Sequence, residues 1–74
     1  MQKFTATWAT TLVESGATED QLRTAYNDAE YVRSNLARAT KRTYPGVEND
    51  RARLVEAKAA TAILRKARRE LAKG

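Results

Sequence analysis

Two segments of this chain carry the same 3-4-3-4 apolar stripe, and the stripes match when the second segment is laid back antiparallel on the first. In residues 19–43 the stripe reads Leu22, Ala25, Ala29, Val32, Leu36, Ala39, and in residues 48–73 it reads Leu54, Ala57, Ala60, Leu64, Ala67, Leu71. Residues spaced in this way share one face of an α-helix. Folding the chain at Pro45-Gly46 sets Ala39 against Leu54, Leu36 against Ala57, Val32 against Ala60, Ala29 against Leu64, Ala25 against Ala67 and Leu22 against Leu71. Large side chains mostly face small ones, as two closely packed helices require, because each knob needs a hole of matching volume. The predicted fold is all-α: a single domain over residues 1–74, built as a long antiparallel helical hairpin with a short N-terminal helix packed across its open end.

Local signals set the expected boundaries. Phe4, Trp8 and Leu12 share a helical face in residues 4–15. The four threonines there favour a strand, but no second strand candidate exists to pair with it, so a helix is expected. Gly16 suits the left-handed end of that helix. Thr18, followed by Gln21, forms a capping-box pattern that starts the next helix, which has no Gly or Pro until Thr43-Tyr44-Pro45-Gly46 breaks it after residue 42. Residues 43–48 are the expected turn. Asn49 or Asp50 is the expected cap of a third helix over residues 49–73.

In this arrangement helix 1 sits at the open end, where Phe4, Trp8, Leu12 and Val13 cover Leu22, Tyr26, Leu64, Ala67 and Leu71. Its length is about half that of the hairpin, so the tip half is expected to lack a covering helix. Tyr31, Leu36, Val47 and Val55 are the candidate apolar interface there.

The core is expected to be thin. Alanine accounts for 14 of the apolar residues, leaving 16 large aliphatic and aromatic side chains in 74 residues. A chain this short and this poor in large side chains gains from self-association, and a homodimer is the expected form.

Charge is unevenly placed. Residues 1–32 hold Lys3 and Arg23 against five acids, whereas residues 33–74 hold twelve basic residues against Glu48, Asp50, Glu56 and Glu70. The net charge of +5 therefore resides in the second half, and an anionic partner is expected. At the hairpin tip, Arg33, Arg38, Lys41, Arg42, Arg51 and Arg53 surround Tyr44 with only Glu48 and Asp50 to offset them. Guanidinium forks engage carboxylate and phosphate alike. The C-terminal run from Arg65 to Lys73 is also basic, but the hairpin brings it beside Glu14, Glu19 and Asp20, which are expected to neutralise much of it.

Several function classes are disfavoured. The chain has neither histidine nor cysteine, which removes imidazole and thiolate ligands, disulfides and the usual neutral-pH general base. No phosphate-cradling Gly-rich loop or metal-ligand spacing occurs. No catalytic residue, metal, cofactor or small-molecule substrate is expected. No apolar run is long enough for a membrane span, and residues 1–15 have no signal-peptide core, so a soluble cytoplasmic protein is expected.

Residues 8–27 resemble the helix-turn-helix DNA-binding motif in their order of helix, Gly16 and capped helix. Leu12 stands where that motif needs a small residue, Glu19-Asp20 at the helix entrance repels phosphate, and the second helix is far longer than a recognition helix. The motif is therefore not assigned.

The sequence reads as a non-enzymatic accessory, assembly or inhibitory protein that docks on an acidic protein surface through the tip and its uncovered apolar side. The alternative is nucleic-acid binding through the same arginine and lysine cluster.

Overall fold

A computed structural model describes all of residues 1–74 as three helices, α1 (Ala6–Glu14), α2 (Glu19–Ala39) and α3 (Val47–Lys73), without strands. Helices α2 and α3 form the antiparallel hairpin, and α1 packs mainly on α3. The molecule is a rod of 45 × 21 × 14 Å.

Of the two N-terminal helix caps expected from the sequence, the one at α2 is found and the one at α3 is not. Thr18 accepts from the Gln21 amide at 3.2 Å while the Gln21 side chain accepts from the Thr18 amide at 2.9 Å, a complete capping box. Thr5 caps α1 by accepting from the Trp8 amide at 3.1 Å, so Phe4 lies just outside the helix. At α3 neither Asn49 nor Asp50 is the cap: Gly46, with φ of 88°, opens the helix and its carbonyl accepts from the Asn49 and Asp50 amides. Glycine takes this left-handed geometry without a Cβ clash, so the turn resolves into helix earlier than a side-chain cap allows. Helix α2 also ends earlier than expected, at Ala39, where the Thr40 hydroxyl donates to the Leu36 carbonyl at 2.6 Å.

The core lies where the three helices meet. Ala9, Leu22, Ala25, Ala29, Ala60 and Leu64 form its buried cluster, with Phe4, Trp8, Leu12 and Val13 packed against it. Only Leu22 and Leu64 are large side chains that are fully buried. Ala9, Ala29, Ala57 and Ala60 are completely inaccessible, which is how small side chains let the backbones approach.

The ends of the predicted stripe depart from the seam. Ala39 is exposed and Thr40 is buried in its place. On a straight helix of 3.6 residues per turn, a 3.5-residue stripe drifts off the contact line, and by the last turn Thr40 is the residue that faces α3. Leu71 is 48% exposed rather than packed on Leu22. The contacts of Arg51 with the Thr40 carbonyl and of Arg65 with the Tyr26 hydroxyl share one register, in which Leu71 falls level with Asp20, in the first turn of α2. Leu22 is buried instead with Ala9 and Leu64.

Helix α1 and the segment before it reach further along the hairpin than helix length alone suggests. The Ala6 amide donates to Glu56 Oε1 at 3.0 Å, and residues 2–5 continue to the level of Val32, Leu36 and Ala52. Phe4 makes this possible by adopting a positive φ of 65°, the only non-glycine residue to do so, and its ring lies 5.2 Å from that of Trp8. Tyr26, expected under α1, packs on the opposite flank of the seam beneath Arg65 and Arg68.

Candidate functional site

The hairpin tip is built by the end of α2, the turn 40–46 and the first turns of α3. Its six cations divide into two groups. Arg33 forms a bidentate pair with Glu30 on its own helix, at 2.9 and 3.0 Å. This pair, made through hydrogen bonds, holds the Glu30 carboxyl below its ordinary range and the Arg33 guanidinium above its own, against the opposing effect of burial. Arg53 donates to Asp50 Oδ1 at 3.3 Å. Asp50 also receives the Tyr44 hydroxyl on Oδ2 at 2.6 Å, and because that proton is held by the carboxylate the phenol is raised above its usual pKa.

The remaining four cations face no carboxylate. Arg38 donates to the Asn35 amide oxygen at 2.6 Å and Arg51 to the Thr40 carbonyl at 3.4 Å, so both are positioned with their charge uncompensated. Lys41 and Arg42 are exposed in the turn and make no side-chain hydrogen bond or ion pair. Their own amides close the end of α2 onto the carbonyls of Arg38 and Ala39. The tip therefore presents Arg38, Lys41, Arg42 and Arg51 to solvent, while Arg33, Arg53 and Tyr44 are occupied internally.

The candidate apolar interface divides in the same way. Tyr31 and Val55 are 70% and 65% exposed, but Leu36 and Val47 are buried and do not form a surface patch. Leu36 loses its exposure because residues 2–5 extend over that region, and Val47 because α3 begins at it and turns it inward. Helical geometry places Tyr31 and Val55 on outward faces of different helices, so each stands alone. What remains uncovered is a groove of about 390 Å³ with Phe4, Val32, Leu36 and Ala52 as its apolar lining and Lys3, Arg53 and Glu56 among its polar residues.

The basic run from Arg65 to Lys73 supplies a second charged cluster, away from the tip, and its contact with Tyr26 is one the sequence does not single out. The Tyr26 ring packs against Arg65 and Arg68, whose guanidinium carbons stand 5.9 and 5.3 Å from its centre. Arg65 also donates to the Tyr26 hydroxyl at 3.3 Å, which raises the pKa of its guanidinium. The expected neutralisation of the C-terminal run by Glu14, Glu19 and Asp20 does not occur. The three ion pairs, Arg23–Asp20, Arg33–Glu30 and Arg53–Asp50, all lie within single helices. The run instead meets a tyrosine because the hairpin register brings Arg65 level with Tyr26. The seven-residue spacing of Arg51, Lys58 and Arg65 was readable as one helix face, but the meeting of Arg65 with Tyr26 was not.

No group of carboxylates is close enough to form a metal-binding cluster, and no helix is long and apolar enough to cross a membrane. The chain matches no known family, curated protein or solved structure.

Proposed function

We propose that this chain is a non-enzymatic interaction module that docks through its hairpin tip on an acidic surface of a partner protein. The observation that carries this reading is the split among the tip cations: Arg38, Lys41, Arg42 and Arg51 face no carboxylate although acids lie within reach of their neighbours. Beside them, the groove floored by Val32 and Leu36 offers an apolar recess of side-chain size. Charge steers the encounter and an apolar anchor supplies affinity, the usual division of labour at protein interfaces.

The test is affinity capture from the cells that produce the protein, comparing the natural chain with Arg38→Glu/Arg42→Glu and with Val32→Asp. A partner recovered by the natural chain and lost with both variants supports the reading. Recovery of the same partner by both variants, with helix content unchanged, ends it. Self-association accompanies this proposal because so few large side chains are fully buried, and the solution mass of the purified chain checks it directly.

The four uncompensated cations suit phosphate as well as carboxylate, so the second reading is nucleic-acid binding at the tip. It predicts a steep loss of affinity with salt and abolition by Arg38→Glu/Arg42→Glu. An interface anchored in the groove is less sensitive to salt and fails on Val32→Asp.

A further inference from the structure

The two long faces of the rod differ in charge: the face that holds α1 mixes acids with Lys3, Arg23 and Arg53, whereas the other is mainly basic. On the face that holds α1, Asp20 and Asp28 line the cleft between α1 and α2, and Glu56 holds the first amide of α1. The opposite face is basic along much of its length. Arg51, Lys58 and Arg65 repeat every seven residues on α3, nearly two turns apart, and therefore stand in a line at intervals of about 10.5 Å. Arg68, about one turn beyond Arg65, ends the ridge on the side of the seam, half-buried with its guanidinium carbon 5.3 Å from the Tyr26 ring centre and its Nε without a partner. On α2 this face adds Arg33 and its one close carboxylate, Glu30.

We infer that this ridge, which shares Arg51 with the tip and runs from it along α3, is a binding surface for the phosphate backbone of double-stranded nucleic acid. From Arg51 to Arg68 the ridge spans about 26 Å, or seven to eight base pairs at about 3.4 Å each. Arg51 and Arg65 are each positioned by a hydrogen bond, to the Thr40 carbonyl and the Tyr26 hydroxyl, so less side-chain freedom is lost when phosphates bind at those two.

Two observations select this partner over other anions. Single strands bind through bases stacked on exposed aromatic rings, whereas Tyr26 beside the ridge is half-buried, with the Arg65 and Arg68 guanidinium carbons 5.9 and 5.3 Å from its centre. Protein partners bind through apolar anchors. Here Thr61 is buried, Leu54 is half-buried, and Val55 on the outer flank is the only large exposed apolar neighbour. A row of cations, two of them positioned by hydrogen bonds, without an exposed stacking platform or apolar centre fits a regular phosphate lattice read without base sequence.

The experiment is fluorescence anisotropy with a labelled duplex of arbitrary sequence, about 20 base pairs long, between about 50 and 200 mM salt. About four phosphate contacts predict roughly a hundredfold loss of affinity across that range, with little dependence on sequence. Lys58→Gln/Arg65→Gln is expected to halve the salt slope, roughly two contacts of the four, while Arg38→Glu/Arg42→Glu leaves the larger part of it. Lys58→Gln alone touches only an exposed side chain and is expected to reduce the slope by about one contact, which keeps the test valid if the double variant does not fold.

The inference is overturned if the duplex does not bind at the lower salt, if binding survives the ridge changes but is lost with the tip changes, or if polyglutamate binds and the duplex does not. The second outcome moves the phosphate site to the tip, and the third leaves acidic-protein docking as the use of this charge. Failure of the ridge and failure of the tip proposal are therefore distinguishable.

Discussion

Glu56 and Ala6 are fifty residues apart in sequence, yet the Glu56 carboxylate accepts the first amide of α1 at 3.0 Å. A nine-residue helix is too short to persist in water without tertiary support. The first amides of a helix lack intrahelical partners and carry partial positive charge, so a carboxylate placed there both satisfies a donor and complements the dipole. This contact, together with the Thr5 cap, fixes where α1 begins and how far along α3 it reaches.

Glu56→Ala is accordingly expected to loosen α1 while leaving the hairpin folded. The loss should be about 0.5–1.5 kcal/mol, typical of one hydrogen bond, with Glu56→Gln retaining part of it. Trp8 fluorescence followed through urea unfolding reports on α1, and far-ultraviolet circular dichroism reports on the hairpin. Coincident, unshifted transitions in Glu56→Ala would show that the contact contributes nothing.

Leu64 is one of two large side chains that are fully buried, at the junction of all three helices. Leu64→Ala should cost about 2–5 kcal/mol, because its neighbours Ala9, Ala29 and Ala60 have no side-chain length with which to refill the space. The converse change, Ala60→Leu, should cost about 1–3 kcal/mol by forcing the helices apart. Thermal melting of both variants checks the pair. A Leu64→Ala protein that melts with the natural chain would place the core elsewhere.

The hairpin was legible because its determinants are local or periodic: a helical stripe, a capping box at Thr18 and a break at Pro45-Gly46. Ala39 and Leu71 fell off the seam because each small error in period and register accumulates towards the helix ends. That α1 packs across the open end through Phe4, Trp8, Leu12 and Val13 was legible; how far the residues before it reach along the hairpin was not, since that depends on Glu56 and on the unusual backbone of Phe4, neither of which follows from spacing. At the tip, the pairs Arg33–Glu30 and Arg53–Asp50 have ordinary three-residue helical spacing and were readable in principle. Counting the cations as one cluster obscured that two were already neutralised. The contact of Tyr26 with Arg65 and Arg68 needed the exact hairpin register before it could be seen.

Gly46 opens α3 at a φ of 88°, with nothing near the position a Cβ would occupy. Steric room is therefore not the obstacle to substitution there; the backbone conformation is. Gly46→Ala should cost about 1–2 kcal/mol, the penalty of left-handed geometry for a side chain with a Cβ. Gly46→Asn should cost less, because its short polar side chain tolerates that region. Equal stability of the glycine and alanine proteins in urea would mean that the turn relaxes into a different conformation.

Tyr44 donates its hydroxyl proton to Asp50, and its pKa is raised above the ordinary 10.0. A folded-state value above the unfolded one means that the contribution to stability is present below pH 10.0 and is lost as pH rises through the folded value. The natural chain should therefore lose stability more steeply in that alkaline range than Tyr44→Phe, which has no proton to release. Urea midpoints measured on both proteins on either side of the transition check this. Identical alkaline slopes would show that the Tyr44–Asp50 contact does not persist in solution.

Glu30 gives the opposite sign at the other end of the scale. Hydrogen bonds from Arg33 are the largest cause of its lowered pKa, burial opposes them, and the charges of Arg33 and Arg65 reinforce them. A depressed folded-state value contributes stability above the ordinary 4.5 that is lost as pH falls through the folded value. Glu30→Gln should remove that part of the acid sensitivity, so the difference in stability between the natural chain and the variant should shrink as the solution is acidified below pH 4.5. Because Glu30 is also the close carboxylate of the basic ridge, the same variant should strengthen duplex binding at neutral pH if the ridge holds phosphate. Weaker binding by a folded Glu30→Gln protein would mean that Glu30 positions Arg33 for the ligand and that its charge is not a brake on it.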